Sequence, residues 1–457
     1  MKIFRLLTPL LLVIVAVLCF APAAWAFCGF YVAKADTKLY NKSSQVVIAR
    51  DGNRTVLTMA NDFQGEVKDF AIVVPVPTLL KKEQVRVAKP QIIERLDAFS
   101  APRLVEYFDP DPCAPVIIDR NLSILNNGGL GGAGGALSVN SDRSLGVTVE
   151  ASFNVGEYDI VILSAKESGG LETWLRNNGY KIPQGAKQLL QPYIRSSMKF
   201  FVAKVNLDKF KQSGYEFLRP LQISYQSPKF MLPIRLGMIN ATTEQDLIVY
   251  ILSPEGAAEI TNYRTVKIPS NVNIPVYVKN EFNEFYKSLF QTAYTKEGKR
   301  VGFLEYARDM GSCDPCSADP LTPEELKEAG VFWLINNSSS NVPAFPNFGI
   351  PFVSSNVFIS RLHIRYSRDT FPEDLIFLQT ANRESFQGRY VLQYPFQGEL
   401  KCQAGKEYKR SLPKRFEQEA QTLAKLTNWD IQDIRKKMKL SVGNLKYSLW
   451  ESFLSWF

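Results

Sequence analysis

Histidine is almost absent from this sequence: His363 is the single histidine among 457 residues. A metal site with two or three histidine ligands therefore cannot be built within one chain. A Ser-His-Asp or Cys-His site would have to use His363, and no Gly-x-Ser-x-Gly elbow offers a nucleophile. Residues 357–366 alternate in a way that predicts a strand, so a half-buried strand histidine is favoured over a catalytic one. We assign no catalytic, metal-binding or cofactor-binding residue.

Long apolar runs are also scarce, and the one near the N-terminus has the features of a secretory signal peptide. Lys2 and Arg5 precede the apolar run Leu6–Phe20, and a small-x-small site ends at Ala26. An uncleaved membrane anchor is the alternative, but the run is shorter than the roughly 20 residues that span a bilayer. We expect cleavage after Ala26 and a mature chain that is periplasmic or extracellular.

A strong excess of one charge is missing from the main body. The net charge is +9. Lys2 and Arg5 supply two of these charges, and twelve Lys/Arg against seven Asp/Glu from Glu399 to Phe457 supply five more, so residues 27–398 carry only +2. A nucleic-acid-binding surface over the body is therefore not expected.

Cysteine is sparse, and its number is odd. Of six cysteines, Cys19 would leave with the signal peptide, and the remaining disulfide candidates are Cys28, Cys113, Cys313, Cys316 and Cys402. In exported proteins such thiols are oxidised to disulfides. Because five cysteines are an odd number, at least one is free or pairs with a cysteine of another chain. We expect Cys28 to pair with Cys113, and Cys402 to pair with Cys313 or Cys316.

Cys313 and Cys316 form a Cys-x-x-Cys motif. A thiol-disulfide site places its first cysteine at a helix N-terminus. Here the next helix is predicted to begin at Thr322-Pro323, six residues after Cys316, so the pair lies in a loop. A zinc site would need two further ligands. A structural role is favoured, and a thiol-disulfide protein acting through Cys313 and Cys316 is the alternative.

Hydrophobic periodicity predicts a β-rich α+β fold. A β-hairpin is expected over 44–59, turning at Asp51-Gly52-Asn53. Further strands are expected over 69–74, 158–163, 199–205, 221–225, 230–236 and 247–252. Helices are expected over 91–108, near 168–179, over 186–194 and near 279–290.

The chain is predicted to consist of two related strand-then-helix halves and a helical tail. Residues 1–26 form the signal, 27–165 the first half, 166–400 the second half and 401–457 a basic and aromatic tail. The halves share a faint repeat, because Leu104–Cys113 and Phe303–Cys316 both run from Glu-Tyr to Asp-Pro-Cys. A Gly-rich insertion near 121–146 contains Gly-x-Gly-x-x-Gly, but no strand and helix flank it, so we interpret it as a loop.

The tail is predicted to be two helices. Ser411 and Pro413 would occupy the N-cap and N1 positions of the first, and Asn428 would start the second. The last residues are unusually aromatic. The tail either docks on the body, or residues 411–457 contact a membrane surface or a partner.

Five sequence blocks add up to a family resemblance: FCGFYVAKAD (27–36), FAIVVPVP (70–77), APRLVEY (101–107), YDIVILSA (158–165) and CDPC (313–316). Together they resemble exported bacterial proteins grouped as domain of unknown function 2330. The similarity runs from about Phe27 to Met438. It implies a secreted or periplasmic location and supplies no activity, so no site residue is carried over.

The leading functional hypothesis is an exported envelope protein that binds a partner or ligand without catalysis and without a cofactor. An acid-residue hydrolase is a further alternative to thiol-disulfide chemistry, with Glu106, Asp109, Asp111 and Glu305 as its candidate carboxylates. A pocket with converging carboxylates of shifted pKa would favour the hydrolase. Acidic residues beside proline in a loop are, however, typical of turns.

Overall fold

The structure is a computed structural model that describes residues 30–33, 40–64, 70–114, 147–180, 185–215, 218–239, 244–311, 318–334 and 356–444. The predicted signal peptide, the Gly-rich insertion and the Cys-x-x-Cys motif lie outside these residues. The fold is α+β, as predicted, with a helical C-terminal region.

The strands, in chain order, are β1 (Phe30–Ala33), β2 (Tyr40–Asp51), β3 (Arg54–Gln64), β4 (Phe70–Val76), β5 (Val85–Val87), β6 (Arg103–Phe108), β7 (Val147–Val155), β8 (Tyr158–Ala165), β9 (Lys199–Val205), β10 (Leu221–Gln226), β11 (Met231–Leu232), β12 (Gln245–Ser253), β13 (Ala258–Ile260), β14 (Arg264–Lys267), β15 (Val272–Asn273), β16 (Val301–Asp309), β17 (Phe358–Tyr366), β18 (Leu375–Gln379), β19 (Phe386–Gln387) and β20 (Arg389–Tyr394). The α-helices are α1 (Gln91–Ser100), α2 (Ser168–Asn177), α3 (Ala186–Arg195), α4 (Leu207–Ser213), α5 (Phe282–Lys296), α6 (Pro323–Glu328), α7 (Gln403–Thr427) and α8 (Ile431–Asn444).

The chain forms two compact units that interleave along the sequence. Of the described residues, unit 1 contains those up to Ala101, those within Arg143–Lys267 and those within Gly298–Phe386, and unit 2 contains the others. This division differs from the predicted boundaries 27–165, 166–400 and 401–457, because β2 pairs in parallel with β12 inside unit 1. Strands from both predicted halves thus share one sheet. The internal duplication stays a prediction.

Unit 1 is a four-layer sandwich. A smaller antiparallel sheet has the order β1-β4-β9-β8-β7, and a larger mixed sheet follows the path β14-β16-β17-β12-β2-β3-β10-β5. One apolar core fills the space between the sheets, a second lies between the smaller sheet and α2 and α3, and a third lies between the larger sheet and α1. The stretch 70–76 shows why: Ile72, Val74 and Val76 face the central core, whereas Ala71 and Val73 face the helices.

The helix predicted over 91–108 is correct only in its first half. α1 ends at Ser100, and Arg103–Phe108 forms β6. Pro102 disfavours helical geometry at the preceding residue, and Ala101 is accordingly extended, with φ −63° and ψ 149°. The apolar spacing beyond this point is that of a strand.

Unit 2 joins a small parallel sheet to three helices. The sheet has the order β15-β20-β6, and α5 packs against α7, which in turn packs against α8. The predicted helix start at Ser411 and Pro413 is wrong. α7 begins at Gln403 and contains Pro413 in its interior, because the Cys402 sulfur caps the helix by accepting from the Gly405 amide, 3.1 Å away. The second tail helix is confirmed as α8, three residues after the predicted start.

Most other predicted elements are confirmed. The hairpin of β2 and β3 turns at Gly52, where a φ of +54° suits glycine. The strand expected over 230–236 is reduced to Met231–Leu232, followed by a 3₁₀ turn at Arg235–Ile239. Thr322 caps α6 as predicted, in a capping box with Glu325. No helix in the described part of the chain combines the length and apolar character of a transmembrane span.

Candidate functional site

A cleft of about 660 Å³ opens in unit 1. One wall comes from the end of β2 and the turn after it, a second from the end of α3, and a third from β11 and β18. Pockets that hold small ligands usually measure a few hundred to a thousand Å³. The cleft therefore has the size of a small-molecule site.

The exposed face of β18 gives the cleft an apolar wall. Side chains along a strand alternate between its faces, so Leu375 and Phe377 are buried whereas Ile376 and Leu378 point outward. Ile376 is 45% exposed and Leu378 is 56% exposed, and both line the cleft. Large apolar side chains exposed inside a concave site can bury a ligand's apolar surface.

Asp374, which precedes β18, is the buried carboxylate of the cleft. Its Oδ1 accepts hydrogen bonds from the Tyr193 hydroxyl (2.6 Å), the Ile234 amide (2.9 Å) and the Arg235 amide (3.2 Å). Burial raises the pKa of Asp374, and these hydrogen bonds offset only part of that effect. With one oxygen so fully engaged, Asp374 anchors the segment before the 3₁₀ turn to α3.

Arg50, at the end of β2, is the buried cation of the cleft, with 4% of its surface exposed. It donates to Thr55 Oγ1 (2.7 Å) and to the Ser227 carbonyl (3.1 Å), and its guanidinium lies 4.8 Å from the centre of the Phe230 ring. Burial lowers the pKa of Arg50. Within the described residues Arg50 forms no ion pair with a carboxylate.

A second polar cluster lies on the α1 face of the larger sheet and contains His363. Its Nδ1 is 2.7 Å from Glu305 Oε1, and its Nε2 is 3.4 Å from Asp246 Oδ1. Burial lowers the pKa of His363, but the two carboxylates outweigh it and raise the pKa. His363 is thus a strand histidine, as predicted, although it is more buried than expected, with 12% of its side chain exposed.

Two arginines complete this cluster. Arg361 binds Glu305 through Nε (2.7 Å) and Asp97 of α1 through an Nη atom (2.6 Å). Arg365 makes two 2.7 Å hydrogen bonds to Asp246. With His363 protonated, three cations face three carboxylates. Buried groups of opposite charge that pair in this way are typical of structural ion clusters.

The carboxylates named for a hydrolase are engaged in such contacts. Glu305 belongs to unit 1, whereas Glu106, Asp109 and Asp111 belong to unit 2. Glu106 pairs with Lys279 at 2.8 Å, and Asp111 accepts from the Cys113 amide in a local turn. Asp109 binds Arg415, Tyr408 and Gln393.

Burial raises the pKa of both Asp109 and Glu419, but their net pKa shifts have opposite directions. Burial raises the pKa of Asp109, but hydrogen bonds from Tyr408, Arg415 and Gln393 outweigh it and lower the pKa. Burial raises the pKa of Glu419 to about 7, because Arg415 offsets it only in part. Glu419 was not foreseen, since an interior helix position carries no sequence signal for it.

The disulfide pairing differs from the prediction. Cys113 is bonded to Cys402, within unit 2. The expected partners Cys28, Cys313 and Cys316 lie outside the described residues. Spacing along the chain could not identify this pair, because folding brings together the segment after β6 and the N-cap of α7, with 289 positions between the two cysteines.

Metal binding has no candidate in the described ranges, where no group of three or more His, Cys, Asp or Glu side chains could hold an ion. The residues that shape the cleft were missed at the sequence level. Arg50 offered the one available signal, because it ends the apolar stretch Val46–Ala49 just before a turn. Asp374 offered none.

The comparisons with known proteins point to one family. The family described as "Uncharacterized protein conserved in bacteria (DUF2330)" matches residues 22–378, well over half of the chain. The match ends inside β18, short of the predicted limit near Met438. No curated protein and no solved structure matches the chain.

Proposed function

Because the chain belongs to the bacterial family DUF2330, whose description names no activity, we propose its role from the unit 1 cleft: an exported envelope protein that binds a ligand without transforming it. The observation that carries this proposal is the cleft itself, where exposed Ile376 and Leu378 stand beside buried Arg50 and Asp374. Apolar walls with a few fixed polar groups are the usual composition of ligand sites.

The state of the carboxylates supports binding over hydrolysis. Burial raises the pKa of Asp374, which lines the cleft, and its Oδ1 already accepts three hydrogen bonds. Glu305 and Asp109, from the hydrolase hypothesis, are held in ion pairs. General acid/base work on a glycoside would need two free carboxylates on either side of a bound substrate.

We expect the purified mature protein to bind Nile red, a neutral apolar dye, with a rise in fluorescence. Leu378→Asn should weaken dye binding by about tenfold, because it replaces an apolar contact worth roughly 1.5 kcal/mol with an amide. Leu79→Asn is the matched control, since Leu79 is 41% exposed outside the cleft. Equal loss in both variants, or none in either, would contradict the assignment of the cleft.

Export is tested separately. The mature protein recovered from the cell envelope should begin at Phe27, and intact-mass analysis reads this directly. Ala26→Arg should block cleavage and leave the precursor mass. A full-length mass for the unaltered protein would contradict the proposed signal peptide.

Contact of residues 411–457 with a membrane surface remains a proposal. α7 and α8 are packed into unit 2, with Ala420, Leu423 and Ile434 buried. Contact through residues 411–457 would therefore use the exposed faces of these helices or the residues after Asn444, which lie outside the described residues.

A further inference from the structure

The guanidinium of Arg50 is an unusual group to find in the cleft. A buried charge is costly unless it is paired and hydrogen-bonded. The two acceptors that Arg50 has, Thr55 Oγ1 and the Ser227 carbonyl, are neutral. Its remaining N–H groups have no described acceptor. The site thus contains a positive charge with unused donors.

The nearest comparable groups do not remove this charge. Asp374 lines the same cleft, but its Oδ1 is engaged with Tyr193 and two backbone amides. Its Oδ2 lies 3.6 Å from Arg235 Nε, a buried atom without a hydrogen-bond partner among the described residues. Glu255, Glu373 and Lys229, which also line the cleft, are exposed at its rim. The buried interior therefore has more cationic donors than anionic acceptors.

Apolar side chains line the same cleft as these donors. The Phe230 ring lies against the Arg50 guanidinium, and its centre is 5.2 Å from the centre of the Phe377 ring of β18. Ile376 and Leu378 point to the face of β18 opposite Phe377, but these side chains line the same cleft as Arg50. A single ligand can thus meet a cation at one end and apolar side chains at the other.

We propose that the unit 1 cleft binds a single-chain amphiphilic anion, whose carboxylate or phosphate head pairs with Arg50 and whose tail lies along Ile376 and Leu378. This proposal rests on the ligand-binding role proposed above and names the class of ligand. The planar fork of arginine suits carboxylate and phosphate oxygens, and charge-assisted hydrogen bonds are the strongest available in such a site. Arg235 supplies a second donor in the same cleft.

Displacement of Nile red by decanoate, decyl phosphate, decanol and acetate, each below its micelle-forming concentration, tests the proposal. Decanoate or decyl phosphate should displace the dye at least tenfold more strongly than decanol, which has the tail without the charge. Acetate, which has the charge without the tail, should displace it weakly. Affinity should rise about three- to fourfold for each methylene added between octanoate and decanoate. The tighter of the two charged ligands identifies the head group.

Arg50→Gln should reduce decanoate to the level of decanol and leave decanol unchanged. Arg410→Gln, an exposed arginine of α7, is the matched control and should change neither. If Arg50→Gln does not fold by circular dichroism, Arg235→Gln replaces it and should also lower the preference for decanoate over decanol. Equal displacement by decanoate and decanol from the unaltered protein would overturn the anion site and leave the cleft as an apolar site. Absence of any displacement, together with normal dye binding by Leu378→Asn, would overturn the proposed function as well.

Discussion

Replacing Glu305 with alanine is expected to destabilise unit 1 by about 3–5 kcal/mol, because removal of one partner leaves a buried charge uncompensated. Glu305 is 1% exposed, and its two oxygens are 2.7 Å from Arg361 Nε and from His363 Nδ1. Arg361 would keep Asp97, but that carboxylate is 42% exposed and screened by water. The guanidinium would remain buried with half of its ion pairing lost.

Urea unfolding of the unaltered protein and of Glu305→Ala measures this effect. Glu259→Ala is the matched control, because Glu259 is an exposed carboxylate on β13 of the same unit. Its effect should stay within about 0.5 kcal/mol. A loss for Glu305→Ala no larger than that of the control would show that the cluster does not stabilise the fold.

The same cluster predicts a pH dependence. The pKa of His363 is raised in the folded protein, so the charged imidazole adds stability that is fully present below the unfolded value near 6.5. That stability is lost as the pH rises through the folded pKa. Unfolding free energies between pH 5.5 and 8.5 should therefore fall with pH, and His363→Asn should flatten this part of the curve.

Apolar runs make several strands of unit 1 predictable. The stretches 46–50, 158–163 and 199–205 lie in sheets with both faces covered, where apolar residues run almost continuously. Alternation over residues 357–366 places His363 on a strand as well. It could not show what faces His363, because Glu305 is 58 residues away and reaches it only through the pairing of β16 with β17.

Helical spacing gives wrong helix boundaries at the end of α1 and the start of α7, where proline and tertiary packing determine the structure. Leu104 and Phe108 continue the spacing of α1, yet they lie on β6 because Pro102 interrupts the helix and β20 offers a partner strand. Proline is favoured at N1, so Pro413 predicts a helix start. In α7 its missing amide is tolerated within a longer helix whose Ala420 and Leu423 are buried.

The position and lining of the cleft cannot be predicted from local sequence patterns. Arg50 and Asp374 lie more than 300 positions apart in the sequence, and each is an ordinary charged residue in its own segment. Their burial in one cleft depends on the order of strands in unit 1, which hydrophobic periodicity does not specify. The one local signal is that Arg50, a charged residue, follows the apolar stretch Val46–Ala49 at the end of its strand.

Removal of the Cys113–Cys402 bond is expected to destabilise unit 2 by about 2–5 kcal/mol, mainly because the unfolded chain gains conformational entropy. The bond joins residues 289 positions apart, so its loss releases a long loop in the unfolded state. Cys113→Ser, Cys402→Ser and the double variant should lose the same stability, because each removes the same single bond. Additive losses in the double variant would mean that the two sulfurs act independently.

A further variant separates the bond from the helix cap. The Cys402 sulfur also accepts a hydrogen bond from the Gly405 amide at the start of α7. Serine at this position can still cap the helix, whereas alanine cannot, so Cys402→Ala should be about 1 kcal/mol less stable than Cys402→Ser. Peptide mapping without reduction checks the connectivity itself. Recovery of Cys113 joined to Cys28, or of Cys402 joined to Cys313 or Cys316, would contradict the Cys113–Cys402 bond. In that case the two single serine variants would also not be expected to lose equal stability.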